Sequence, residues 1–334
     1  MKQSSRFFKT FKPFAYAAMI ALAGSMSAHA ATYPERNITL LVPYPPGGTT
    51  DISARAFAHV LQGELKQSVI VENRAGAGGV IGMGVVAHAK PDGYTLGLGT
   101  IGTQSINQFM YKKMSYDPST AFVPIALVIT TPNVIGVPAS SSIKTLADLI
   151  ATAKAKSAKG DKLSYASPGV GSSVHLTGAY FEQVAGIDML HVPFKGGAES
   201  ITAVSGGHVD VLFDNLPSSL NQIKDGSKIR GLAVTSSQRS PAIPNIPTVA
   251  ESGLPGFDVT AWFGLWAPKG TPQAVIDTLI KASRQALKSP ELNATFAAVG
   301  AQAGTLFGAD LGAFEQSERD RWSKLIADRH IEAK

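Results

Sequence analysis

The chain has 334 residues, 30 of them basic and 24 acidic, and no cysteine, which excludes disulfides, thiolate metal sites and cysteine nucleophiles together. Four of the basic residues and none of the acids lie in the first thirty positions. The net charge of +6 therefore falls to +2 over the rest, and no dense basic stripe remains to hold nucleic acid.

Lys2, Arg6, Lys9 and Lys12 open the chain, an apolar stretch runs from Phe14 to Met26, and Ala28-His29-Ala30 follows as a small-x-small site. This is the grammar of a secretory signal peptide cleaved near Ala30. Its apolar run is too short to span about 30 Å of hydrocarbon. No later uncharged run is long enough to do so, so the chain from Ala31 is expected to be exported and not membrane-inserted. Its 304 residues suit two domains better than one.

From Ile38 onward short apolar runs alternate with longer helical patterns, which predicts an α/β fold with largely parallel sheets. "ITLLV" reads as a buried strand, followed by a helix from about Asp51 with Phe57, Leu61 and Leu65 on its apolar stripe. "SVIVEN" is a second strand, "GGVIGMGVVAHA" a helix and "YTLGLG" a third strand. "FVPIALVITTPNVIGVP" reads as two extended pieces around a turn, and "LADLIATAKAK" as a helix with a solvated basic face.

The opening pattern then recurs. "LSYAS" runs into "PGVGSS" and a helix through Val184, and "DMLHVPF" runs into "KGG" and a helix to about Val204. "HVDVLF" is a strand that ends at Asp214-Asn215. Two helix starts are expected in the tail, with Thr271 and Ser289 as caps and Pro272 and Pro290 at the first helical position. A last helix from about Asp310 should turn Leu311, Phe314, Trp322 and Leu325 towards the core. "ALVITTPNVIGV" and "GLAVTSS" are the expected crossings between a discontinuous first lobe, residues 31–130 and 237–334, and a second lobe, residues 131–236.

Three loops could carry chemistry. In Tyr44 to Asp51 the prolines stiffen the entry, while Gly47 and Gly48 let the main chain approach a ligand. A helix N-terminus there would stabilise an anion without a lysine, and Thr49 and Thr50 would add hydroxyl donors. Asp51 reads as a cap or loop brace, and an ordinary tight turn explains this loop equally well by itself. Ser167, Pro168, Gly169, Gly171, Ser172 and Ser173 repeat the grammar at the same kind of junction, and Gly196 and Gly197 form a third. Ligands of open α/β sheets bind beyond the carboxyl ends of strands, where all three lie.

Other meanings of these residues are weaker. A dinucleotide fingerprint starting at Gly76 and Gly78 fails at Ile81, and no phosphate loop of the G-x-x-x-x-G-K-[ST] kind occurs, so no cofactor is expected. The seven histidines include no pair three to five residues apart and no H-E-x-x-H, so a metal has little support either. His175 stands where a nucleophile elbow needs glycine, and is either structural or cleft-lining. Lys195 could meet a carboxylate or merely be solvated, and Asp214 and Asn215 could orient a ligand or cap the next segment. Trp262, Phe263 and Trp266 could touch a ligand, although tryptophans here are more often core.

The ordered series "YPERNITLLVPYPPGGTTD", "VENRAGAGGVIG", "KPDGYTLGLG", "SPGVGSSVHLTG", "VPFKGG", "IPTVAESGLPGF" and "WFGLWAPKGTP" resembles the Bug family across almost the whole exported chain. These are the periplasmic solute receptors of tripartite tricarboxylate transporters. The resemblance implies a type II periplasmic binding fold, two lobes with a ligand cleft between them, acting as a monomer and closing like a Venus flytrap. It implies small organic acids as ligands: tricarboxylates, dicarboxylates, acidic amino acids, nicotinate, or aromatic acids such as terephthalate. Carried over by motif, Pro45 to Asp51 become the first-lobe grip and Ser167 to Ser173 the second, with Gly196, Gly197 and Asp214 nearby. The implied partners are a small and a large inner-membrane subunit. Two rivals stand beside this: an exported hydrolase using Ser172 or Ser173 with His175, and a ligand-binding partner of a membrane sensor.

Overall fold

The computed structural model describes residues 33–329, so the signal-peptide expectation for residues 1–30 lies outside the described residues. Strand β1 (Ile38–Val42) is the buried "ITLLV" run, and it pairs in parallel with β2 (Val69–Asn73) on one side and β3 (Thr95–Thr100) on the other. Helix α1 (Thr49–Leu65) crosses between β1 and β2, burying Ala54, Phe57, Ala58, Leu61 and Leu65 against the sheet. Helix α2 (Val80–Ala87) makes the next crossover, and the short α3 (Asn107–Met110) follows β3.

Next comes β4 (Phe122–Pro138), a single strand of 17 residues where two pieces and a turn are expected from sequence. Its first part pairs antiparallel with β9 (Thr260–Pro268), as far as Pro132 opposite Thr260. Its second part pairs antiparallel with β7 (Val211–Asn215) and β8 (Ile229–Val234). The Thr-Thr-Pro-Asn composition suggests a turn, but ladder partners on both sides keep the backbone extended. Pro132 stands where those partners change, so its missing N–H removes no bond from the middle of a ladder.

The chain then builds α4 (Leu146–Ser157), β5 (Ser164–Ser167), α5 (Ser173–Ala185), β6 (Leu190–Pro193), α6 (Gly197–Ser205), β7 and α7 (Leu216–Asp225). Strand β5 lies parallel to both β6 and β7. The whole sheet runs β2-β1-β3-β9-β4-β7-β5-β6, with β4 shared by its two parts. This is a two-lobed α/β architecture. One core gathers Leu40, Phe57, Leu98, Leu279 and Phe296, and another Tyr165, Phe181, Phe213 and Phe257.

The tail contains α8 (Gln273–Lys288), α9 (Pro290–Ala298), the two-residue β10 (Gln302–Ala303) and α10 (Ala309–Arg329). Ser289 caps α9 as expected, accepting from Leu292 N–H at 3.5 Å with Pro290 behind it. The expected cap at Thr271 is displaced by one residue. Pro272, at ψ 142°, takes the cap position, and the Thr271 hydroxyl donates to Pro268 O at 2.8 Å instead. Leu311 and Trp322 of α10 are buried, while Phe314 and Leu325 are half-buried. The same helix buries Glu315 and Glu318, which accept the indole N–H groups of Trp266 and Trp262. Both tryptophans are therefore core, with their polar edges satisfied. Among the described residues no helix is long and apolar enough to cross a membrane.

Candidate functional site

Four strands hand over to four helices around one cleft. The helices α1, α5, α6 and α7 begin at Gly48, Ser172, Gly196 and Asn215 respectively, and all four cap residues line it. The first N–H groups of a helix have no intrahelical acceptor, and its N-terminus carries roughly half a positive charge. Ser172 turns its side chain to this purpose within the chain, accepting from His175 N–H at 3.2 Å. The caps of α1, α6 and α7 make no such side-chain bond, so those helix ends keep donors for a ligand.

The cleft is narrow with its walls together, leaving a cavity volume of about 30 Å³. Its walls are mostly glycine, proline and hydroxyl residues, with Asn215, Phe263 and, as the one carboxylate, Asp214, and no lysine, arginine or histidine among the described residues that line it. The two walls touch. Thr49 Oγ1 and Ser218 Oγ are 3.1 Å apart, and Tyr111 OH donates to Val170 O at 3.1 Å. A Cβ on Gly196 would stand 3.1 Å from the Pro45 ring.

Of the residues singled out from sequence, Tyr44, Pro45, Gly48, Thr49, Thr50, Pro168, Ser172, Ser173, Gly196, Gly197 and Asp214 line this cleft. Gly47, Ser167, Gly169, Gly171 and His175 are not among the lining residues. Gly47 N–H donates to Asp51 Oδ2 at 3.1 Å, and its φ of 83° explains the glycine. Asp51 is the loop brace, held also by Arg55 and Asn73. Burial works against its charge, but Arg55, the Gly47 N–H and Asn73 outweigh it and hold the carboxyl below the usual range.

Ser167 is fully buried and shares a hydrogen bond of 2.6 Å with His191 Nε2, while Gly169 O accepts from Ser172 Oγ at 2.7 Å. Gly171, at φ 81°, packs so tightly that a Cβ would collide with Asn107. His175 stacks on His191 with ring centroids 4.0 Å apart. Burial lowers His175 to about 4 and His191 to about 3, so both rings are neutral at physiological pH. The hydrolase reading loses its geometry here. Ser172 Oγ bonds to main chain, and the His175 ring nitrogen Nδ1 accepts the Gly171 N–H at 3.5 Å and no hydroxyl of Ser172 or Ser173. The serine and histidine side chains that do meet, Ser167 and His191, stand outside the cleft lining.

Burial raises Asp214 to about 7, against hydrogen bonds from Ser218, Ser219 and Asn215 that favour its ion. Tyr44, raised to about 12 by burial, donates its phenol to Gly78 O at 3.0 Å. Lys195 is exposed and outside the lining. Sequence reasoning missed Thr100 and Ser218, and left Asn215 and Phe263 undecided; all four line the cleft. Thr100 had a usable signal, since it ends a parallel strand on the side where ligands bind.

Fold and cleft together define a class: a two-lobed α/β solute-binding protein whose site is a cradle of helix N-termini. More particularly, the chain belongs to the family described as tripartite tricarboxylate transporter family receptor, whose profile matches residues 53–331. It is similar to the solved structure of R. palustris Rpa4515 with adipate, at 34% identity and a TM-score of 0.85, covering 90% of this chain and 99% of that one. The periplasmic binding protein BugD gives 35% identity and a TM-score of 0.84, covering 90% and 100%. MatC (Rpa3494) from Rhodopseudomonas palustris with bound malate gives 31% and 0.82, covering 88% and 100%. The family is one of solute-binding receptors, not of enzymes.

Proposed function

We propose that this protein is a periplasmic receptor that holds a small di- or tricarboxylate in the cleft and delivers it to the small and large membrane subunits of a tripartite transporter. One observation carries the reading: four helix N-termini converge on a cleft whose described lining contains no cationic side chain. Peptide N–H groups and hydroxyls are then the natural partners of a carboxylate, each helix end contributing about 0.3–1 kcal/mol and more when shielded from water. That two structural relatives are described with adipate and with malate supports the ligand class. In this proposal residues 31–130 and 237–334 form one lobe and 131–236 the other, the leader is cleaved near Ala30, and the receptor works as a monomer.

A panel of adipate, malate, citrate and terephthalate, followed by thermal shift and calorimetry, tests it. A ligand at a hundred times its Kd stabilises the native state by about 2.7 kcal/mol and raises the melting temperature accordingly. The reading fails if no acid of the panel produces a shift or heat at millimolar concentration.

A further inference from the structure

We propose that Asp214 is held as a neutral carboxylic acid when the cleft is closed, so that capture of an organic acid takes up one proton from solvent. The inference rests on the receptor reading above and deepens it.

The geometry around one hydroxyl makes the case. Ser218 Oγ lies 2.5 Å from Asp214 Oδ2, 2.9 Å from the carbonyl oxygen of Asn215 and 3.1 Å from Thr49 Oγ1. A serine hydroxyl donates once and accepts twice. If Asp214 were ionised, the single Ser218 proton would have to serve both Asp214 and the Asn215 carbonyl. One of these short oxygen–oxygen contacts would then lack a hydrogen. With Asp214 protonated the count closes: Asp214 donates to Ser218, Thr49 donates to Ser218, and Ser218 donates to Asn215 O. Three contacts receive three hydrogens, and each points one way.

Charge leads to the same state. Asp214 is 1% exposed and lines the cleft that a carboxylate ligand would enter. Two carboxylates sharing a site disfavour ionisation of one of them. The charged groups on neighbouring elements are occupied elsewhere or lie outside the lining. On α1, Asp51 is paired with Arg55 at 2.9 Å; on α6, Glu199 accepts the Lys195 N–H at 3.2 Å. Lys224 and Asp225 end α7, Arg230 of β8 is bound to the carbonyls of Ala139, Ser141 and Ile143, and His175 and Glu182 of α5 are outside the lining. Strands β4 and β5 carry no charged residue. Burial pushes the Asp214 carboxyl up to about 7, outweighing the hydrogen bonds from Ser218, Ser219 and the Asn215 N–H that favour its ion.

Because Thr49 belongs to α1 and Ser218 to α7, the protonated chain Asp214–Ser218–Thr49 also fastens one wall of the cleft to the other. Opening breaks the Thr49 contact and admits water to Asp214, which can then ionise. Closing around an anion restores the acid.

The test is isothermal titration of the exported chain with adipate and with malate from pH 6 to 9, in phosphate and in Tris, whose ionisation heats differ. Proton uptake approaching one per ligand near pH 6 is expected, fading above about pH 7 where the Asp214 acid itself ionises. As pH rises, affinity should fall by up to about tenfold per pH unit below neutrality and level off above it. Asp214→Asn keeps a donor towards Ser218 and nothing to titrate. This variant should bind without uptake and exceed the wild-type affinity at pH 9 by tenfold or more. Binding without uptake in the wild type overturns the inference alone, as do uptake undiminished in D214N or a folded D214N that binds neither acid. If D214N fails to fold, the wild-type proton count decides by itself. No heat with either acid would overturn the receptor reading and this inference with it.

Discussion

His175 and His191, stacked beside the second cradle, show how single residues there are fixed by burial. Their depressed values, about 4 and about 3 against an ordinary 6.5, mean that the folded state holds both rings neutral while the unfolded chain protonates them. Their contribution to stability is therefore fully present above pH 6.5 and is lost as pH falls towards 4, each by up to about 1.4 kcal/mol per pH unit. His191→Gln keeps an amide towards Ser167 and removes one of the two sites. Melting curves from pH 7 to 4 should show the variant losing stability more slowly than wild type, and equal slopes would refute the assignment. Asp214 inclines the other way, since its raised value gives stability that is full below about pH 4 and lost by about pH 7; comparing variants at the same pH removes that contribution. At this scale the glycines and hydroxyls of the cradles were legible because φ and donor chemistry are properties of residue type. Ser218 was not, since a serine in the first turn of a helix gains its role across the cleft only from Thr49, 169 positions away.

At the level of elements, the junctions matter more than the helices and strands they join. Gly196 has an extended φ of −170° that any residue can adopt, so its smallness answers to Pro45 across the cleft and not to backbone strain. Gly196→Val should leave the melting temperature of the ligand-free protein within a few degrees of wild type. It should nevertheless weaken binding of whichever acid the proposed panel identifies at least tenfold, by propping the walls apart. Calorimetry measures the loss, and an unchanged affinity would show that the Gly196–Pro45 contact plays no part in capture. Alternating strands and helices were readable because buried parallel strands are continuous apolar runs. Strand β4 was misread because Thr-Thr-Pro-Asn has the composition of a turn, and only its ladder partners reveal that the chain continues straight. The cap of α8 slipped by one because a proline can itself take the cap position when its ψ stays extended.

For the molecule as a whole, the two parts of the sheet are joined where β4 changes partners. There Asn133 N–H donates to Thr235 Oγ1 at 2.9 Å, and Thr235 Oγ1 donates to Val259 O at 2.6 Å. The Thr235 N–H donates to Asn133 O at 3.0 Å, so three segments far apart in sequence are fastened at one point. Thr235→Val leaves a buried N–H and a buried carbonyl without that partner, and should cost about 1–3 kcal/mol in urea denaturation. A loss below about 0.5 kcal/mol would mean that these groups find other partners. The α/β class was visible in the sequence, but the order of the sheet was not. Strand β9 enters between β3 and β4 from more than a hundred residues downstream, and no local pattern encodes that pairing.

The cradle of helix ends has an evolutionary corollary. Amide donors are common to every amino acid except proline, so under the proposed receptor function point substitutions would recontour the pocket but rarely delete the attraction for an anion. On that proposal, a change of ligand would need only a change of shape, with the means of holding the anion left in place.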